Sequence, residues 1–225
     1  MDKKELIRRI EKFAPLETAE SWDASGWLVE TDKQEIDSIL LALTVTDDIV
    51  NQAKEQKCDI ILSHHPLFCV PIKYRNIDIY SAHTNLDMAI GGTTDTLIEK
   101  LGLQVTEIQG FVRYVEFNLN IEDFITKLKS ISPNMRYTNP NNTKKLNKIA
   151  FCAGSGSEFI EEAEANGADG FVTGDLKFHT ALDSKIPVFD IGHFESEIQV
   201  LKVFENLVNN DATVIYAKET SPFLH

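Results

Sequence analysis

The stretch DSILLALTV, residues 37–45, holds no polar side chain from Ile39 to Leu43. A strand with one face in water alternates apolar and polar residues; this one offers both faces to the interior. Such a strand needs a covering layer on each side, which an α/β arrangement supplies. DDIVNQAKEQ follows as a helix, with its acids in the first turn where the dipole favours them. CDIILS is the next strand, and DIYSAHTNLD reads as a further extended stretch. TTDTLIEKLG reads as a helix ended by Gly102.

The middle of the chain breaks this rhythm. GFVRYVEFNLN alternates, as an antiparallel or edge strand does, and IEDFITKLKSI is helical. SPNMRYTNPNNTKK is loop-like, rich in Asn, Pro and Lys. The alternation then resumes: strand KIAFCAG, helix SEFIEEAEANG, strand DGFVTG, helix DLKFHTALDS, strand PVFDIG, one long helix HFESEIQVLKVFENLV and strand ATVIYAK. The expected fold is α/β, with layered, largely parallel sheets joined by right-handed crossovers. It forms one α/β domain over residues 1–225, or two lobes with a boundary near 104–148. In each half a helix leads to a strand ending at polar residues, CDIILSHH and ADGFVTGD. That echo fits a duplication, and it fits two ordinary crossover units equally well.

Composition narrows the function classes. The chain has 35 acidic and 22 basic residues, a net charge of −13. That field repels phosphate backbones, so nucleic acid and anionic membranes are unexpected partners. No apolar run approaches the ~20 residues a membrane helix needs. The N-terminal helix places Leu6, Ile7, Ile10 and Phe13 on one side and lacks the apolar core and cleavage site of a signal peptide, so a cytoplasmic location is expected. Cys58, Cys69 and Cys152 show no C-x-x-C spacing and read as small apolar fillers in a reducing compartment.

Sites in open α/β sheets collect beyond the carboxyl ends of strands. His64 and His65 lie at such an end, as do Asp87, Asp175 and His193. Glu197 is four residues after His193, a spacing that fits two ligands of one centre and fits a solvated or capping pair as well. Neighbouring residues on extended chain point to opposite sides, so His64 and His65 would each flank a different ion. His64, His65, Asp87, His193 and Glu197 would supply three imidazoles and two carboxylates to two divalent cations, Zn, Fe, Mn or Ni, with Glu197 bridging and positions left open.

The motifs ILSHHPLF, YSAHTNLDMAIGG, GSGSEFIEEAEANGADGFVTGDLKFHTALD and FDIGHFESE occur in one order along nearly the whole chain. In them the chain resembles the GTP cyclohydrolase I type 2 homologue family, also called NGG-interacting-factor-three-like. The resemblance implies two pseudo-repeated lobes around a dinuclear metal centre, with His64, His65, Asp87, His193 and Glu197 as ligands. It also implies a toroidal homohexamer. The stretch 105–148 matches poorly, with no inserted extra domain. Ala24 and Thr94 stand where the family often has asparagine, and Thr44 where it often has aspartate. None of these is a ligand position.

Other residues carry two readings each. His83 reads as lining the site or orienting a ligand, against plain packing. His179, four after Asp175 on the expected helix, reads as a proton donor or substrate contact, against a surface histidine. Those two are the catalytic candidates. AGSGSEF reads as a tight turn or an anion cradle, and Trp22, Trp27 and Tyr74 as packing residues. Lys73 and Arg75 read as anion contacts or surface charge, and His225 as a disordered terminus. The expected function is a metal-dependent hydrolase in which activated water attacks a small, anionic or nucleotide/pterin-like substrate. The alternative is a non-enzymatic metal-binding regulatory or interaction protein using the same ligands.

Overall fold

The structure is a computed structural model and describes residues 1–223. His225 lies outside the described residues. By density of contacts the chain forms two compact units: residues 1–92 with 200–220, and residues 93–199 with the C-terminal segment that follows 220. The break expected near 104–148 does not coincide with these divisions; that stretch lies wholly inside the second unit.

The first unit opens with α1 (Lys3–Phe13), capped by Asp2, whose carboxylate accepts from the Glu5 N–H at 2.9 Å. Then come β1 (Gly26–Val29), β2 (Ser38–Thr44), α2 (Asp47–Glu55), β3 (Ile60–His65), β4 (Asp78–Ser81) and α3 (Thr84–Met88). The second unit holds α4 (Thr93–Lys100), β5 (Glu107–Gln109), β6 (Val112–Asn120), α5 (Ile121–Lys129), β7 (Arg136–Thr138), β8 (Lys145–Phe151) and α6 (Ile160–Ala165). It continues with β9 (Gly170–Thr173), α7 (Phe178–Asp183), β10 (Val188–Asp190) and α8 (His193–Glu197). The chain returns to the first unit with α9 (Leu201–Val208) and β11 (Thr213–Tyr216).

The first sheet runs β1-β4-β3-β2-β11, with β1 antiparallel to β4 and every other pair parallel. The apolar run behaves as expected: Ile39 to Leu43 are all buried. Leu40 and Ala42 join Ile49, Val50 and Ala53 of α2 in one core cluster. The alternate side chains Ile39 and Leu41 turn to the opposite face, the face left for α9, which packs on β2 and β3.

The second sheet runs β5-β6-β8-β9-β10-β7 and is mixed. β8, β9 and β10 are parallel; β6 is antiparallel to both β5 and β8, and β7 to β10. GFVRYVEFNLN is therefore antiparallel but interior, and the loop-like segment after it carries β7. Alternation sorts the core into two layers. Ile149, Phe151, Val172 and Phe189 pack with Phe124 and Leu128 of α5; Ala150, Phe171 and Val188 pack with Ile160 and Ala163 of α6.

Several local expectations are corrected. DIYSAHTNLD is not extended throughout: β4 ends at Ser81, where the Asn85 side-chain oxygen accepts from the His83 N–H at 3.0 Å and turns the chain into α3. The helix expected from Asp175 begins only at Phe178, because Asp175 has left-handed backbone, φ +53°. The long C-terminal helix is split by a 3-10 turn at Ile198–Val200, where Ile198 has ψ −24°. Cys152 is buried and Cys58 half-buried, but Cys69 is exposed and fills nothing. Trp27 and Tyr74 pack as expected, whereas Trp22 is 59% exposed.

Candidate metal centre

In the first unit, parallel pairing of β3 with β2 and β4 delivers His64 and His65 to the carboxyl edge of the sheet. Pairing with β4 stops at Ser63, while pairing with β2 continues to Thr44↔His65. With one neighbour gone the pleat no longer forces the two rings apart, and their centroids lie 5.0 Å from each other. The expectation that they point to opposite sides is thus corrected. His83, just past β4, brings its ring to 5.1 Å from His64 and 5.6 Å from His65. One ring nitrogen from each of the three lies within 4.8 Å of the others.

The partners of these rings decide which nitrogen is presented. His64 is fully buried, and its Nδ1 lies 3.0 Å from the Ala82 carbonyl. A carbonyl only accepts, so Nδ1 carries a proton and Nε2 is the nitrogen left to face a ligand. That Nε2 is 3.4 Å from Asp87 Oδ1. His83 Nδ1 is held at 2.9 Å by Asp23 Oδ1, and His65 Nδ1 at 2.7 Å by the Thr44 hydroxyl. Asp23 is the hub of this edge. Burial alone would raise its pKa, but hydrogen bonds from Thr84, His83 and Ser25 prevail and hold it at about 2.

In the second unit, β9 and β10 end side by side. The turn after β9 carries Asp175, and α8 starts at His193 behind Gly192, φ +85°. Asp175 Oδ2 lies 2.7 Å from His193 Nδ1, and Glu197 Oε2 lies 2.9 Å from Nε2. The bond to Glu197 above all, joined by Asp175, outweighs burial and pushes the His193 pKa up to about 9. With acceptors on both nitrogens the ring holds two protons; the one facing Glu197 occupies the position a cation would take. Glu197 is itself buried.

The GSGS turn forms the wall behind this pair. Gly154, φ +67°, leaves no room for a side chain unless the Glu197 carboxylate moves: a Cβ there would stand 2.1 Å from Glu197 Oε1. Its N–H donates to Ser196 Oγ at 2.9 Å, and its carbonyl accepts from the Gly174 N–H at 2.7 Å. Asp190 fixes the neighbouring loops, accepting from Gly192 N–H at 3.1 Å, Leu176 N–H at 3.2 Å and Arg136 Nε at 2.8 Å. A cavity of about 290 Å³ opens here, lined by Ser132, Arg136, Asp175, Asp190, His193 and Glu195 among others.

The donor chemistry suits divalent cations: imidazole nitrogens, each braced at Nδ1 by an oxygen, beside carboxylates. His179 is exposed on α7 with its ring 5.4 Å from Phe178, and it is not among the converging donors of the described residues. Sequence reading missed the bracing roles of Asp23, Thr44 and Asp175 and the close approach at Gly154. The signals available were WDASG just before a strand and two glycines flanking Ser155.

Comparison with known proteins shows the family. The Duf34/NIF3 (NGG1p interacting factor 3) family matches residues 1–222. The chain belongs to the Duf34/NIF3 family. Relatives named "GTP cyclohydrolase 1 type 2 homolog" include one from Clostridium perfringens, 34% identical over 97% of each chain, and one from Campylobacter jejuni, 30% identical over 97% of each. Among solved structures, a hypothetical protein of Staphylococcus aureus superposes with a TM-score of 0.88 at 26% identity, covering 100% of this chain and 99% of that one. Reduced HcgD of Methanocaldococcus jannaschii gives 0.85 at 28% identity, covering 97% and 98%. The α/β fold with helix-flanked sheets expected from the sequence therefore holds, with a second sheet that is mixed where a largely parallel one was expected. Among the described residues no helix is long and apolar enough to cross a membrane.

Proposed function

We propose that this chain is a metal-dependent hydrolase, with His64, His65 and Asp87 of the first unit and His193 and Glu197 of the second as the ligands of two divalent cations. The observation that carries the reading is the bracing of the imidazoles. His64, His83 and His193 each give a proton at Nδ1 to a fixed oxygen and turn Nε2 the other way, and His65 has its Nδ1 on a hydroxyl. Packing histidines have no reason to share one orientation; ligands do. Divalent cations bound there would supply Lewis acidity and a lowered water pKa.

The protein's own groups do the rest. Asp23 keeps the His83 proton on Nδ1, so His83 Nε2 accepts a proton from a reacting group. Glu197 and Asp175 hold a positive charge at His193 when no cation is bound; on cation binding His193 would give up the proton facing Glu197, while Asp175 keeps the one on Nδ1. Arg136, its guanidinium oriented by Asp190, faces the cavity beside His193 and offers donors to an anionic or carbonyl oxygen. The relatives' name points toward a nucleotide- or pterin-like substrate with a cyclic C–N bond to cleave.

The test is a substrate screen on protein of known metal content, with Glu197→Gln alongside. The variant is expected to lose bound metal and turnover together. Turnover that survives in metal-depleted Glu197→Gln would overturn the reading.

A further inference from the structure

Beside the histidine cluster of the first unit stand two large aromatic side chains that the core does not use. Trp22 is 59% exposed and Phe68 69% exposed. Their centroids are 6.5 Å apart with the planes tilted by 31°, and the Trp22 ring also meets His83 edge-on at 6.1 Å. Neither ring is exposed for want of order. Trp22 sits in a turn closed by the Asp23 N–H to the Glu20 carbonyl at 2.9 Å, with the Glu20 N–H on the Thr84 hydroxyl at 2.9 Å. The Asp23 side chain next to it accepts from Ser25, Thr84 and His83. Phe68 lies between Leu67 and Val70, both packed on the core cluster. Both rings are thus held out into solvent by pinned backbone.

We infer that Trp22 and Phe68 form a stacking wall that receives the planar aromatic or heteroaromatic ring of the substrate and presents that ring's polar edge to His83 and His65. This rests on the reading of the histidine cluster as a reaction centre and adds the substrate's shape to it. Rigid indole and phenyl faces give up little conformational entropy when covered. Stacked or edge-on rings also gain beyond the area they bury. A saturated ring of equal size covers the same apolar surface and lacks that gain. A second copy of the chain seated on the two rings would instead cover the faces the substrate needs.

The experiment uses the whole metal-loaded protein and two probes, 2-naphthoate and decahydro-2-naphthoate, titrated by calorimetry. Naphthoate is expected to bind roughly three- to tenfold tighter than its saturated counterpart. Trp22→Leu and Phe68→Leu are each expected to abolish that difference, while metal content and the urea midpoint stay at the wild-type values. Equal affinity for the two probes, or a preference untouched by Trp22→Leu, overturns the inference and leaves the metal reading standing. A change in oligomeric mass with Trp22→Leu also overturns it, since the rings then serve contacts between copies. Failure of the protein to take up metal at all refutes the underlying reading instead.

Discussion

Gly154 shows how one missing carbon governs a site: unless the Glu197 carboxylate moves, only a hydrogen fits where a Cβ would lie 2.1 Å from Glu197 Oε1 and 3.1 Å from its Cδ. Its φ of +67° adds a strain of about 1 kcal/mol for any L side chain. Gly167 separates the two effects, because its φ is +82° and nothing lies within 4 Å of its would-be Cβ. Both Gly154→Ala and Gly167→Ala should lose about 1 kcal/mol of unfolding free energy to strain, measured in urea. Gly154→Ala alone should also weaken divalent-cation binding by roughly 10- to 100-fold, as displaced supports of a ligand do. Equal cation affinity in the two variants would refute the role. Asp23 gives a second prediction. Its pKa of about 2 is below the unfolded value near 3.9, so its stabilising effect is full above the unfolded value and is lost as pH falls through the folded one. After solvent screening it amounts to about 1 kcal/mol. The stability gap between wild type and Asp23→Asn should be flat above about pH 5 and close between pH 4 and 2. A gap that widens on acidification would show that the hydrogen bonds to the carboxylate do not stabilise it.

Elements were legible wherever an apolar period ran long enough to repeat. β2, β3, β9 and β10 announce themselves as apolar runs, and α2 by Asp47 and Asp48 in its first turn; the structure adds the Thr46 cap, whose hydroxyl accepts from the Ile49 N–H at 3.3 Å. What stayed hidden was decided by single side chains reaching across the sequence. Asn85 bends the chain after β4 because its oxygen finds the His83 N–H, and no periodicity encodes that bond. The split after Glu197 is a change of only about 20° in ψ within a stretch that holds no Gly or Pro to mark it. Buried charge was equally illegible: Arg113 lies inside β6 against Asp95 at 2.6 Å, and Lys3 inside the first unit with Asp78 at 3.2 Å. Charged residues are seldom buried unless paired, and the pairing partners lie 18 and 75 residues away. The histidines were visible because adjacent imidazoles at a strand end are rare; their bracing was not, since it comes from residues of other strands and turns.

At the scale of the molecule the governing quantity is charge. With 35 acids against 22 bases, the folded chain works against its own repulsion. A cation that binds the native state and not the unfolded one stabilises it by RT ln(1 + [L]/Kd), about 2.7 kcal/mol at a hundredfold excess over Kd. For a chain of this size that raises Tm by roughly 5–10 °C. Metal-stripped protein should therefore gain that much on addition of zinc and lose it again with EDTA. Diffuse screening of acidic surface would also raise Tm, but any divalent salt would do it, so magnesium at the same concentration is the comparison. Specific binding at imidazoles predicts a small effect of magnesium, which prefers oxygen ligands. It also predicts that His64→Ala and His193→Ala each lower the zinc gain, because the two histidines belong to donor groups in different units. If magnesium matches zinc, or both variants keep the full gain, the cations are held by the acidic exterior and the braced imidazoles are not their site.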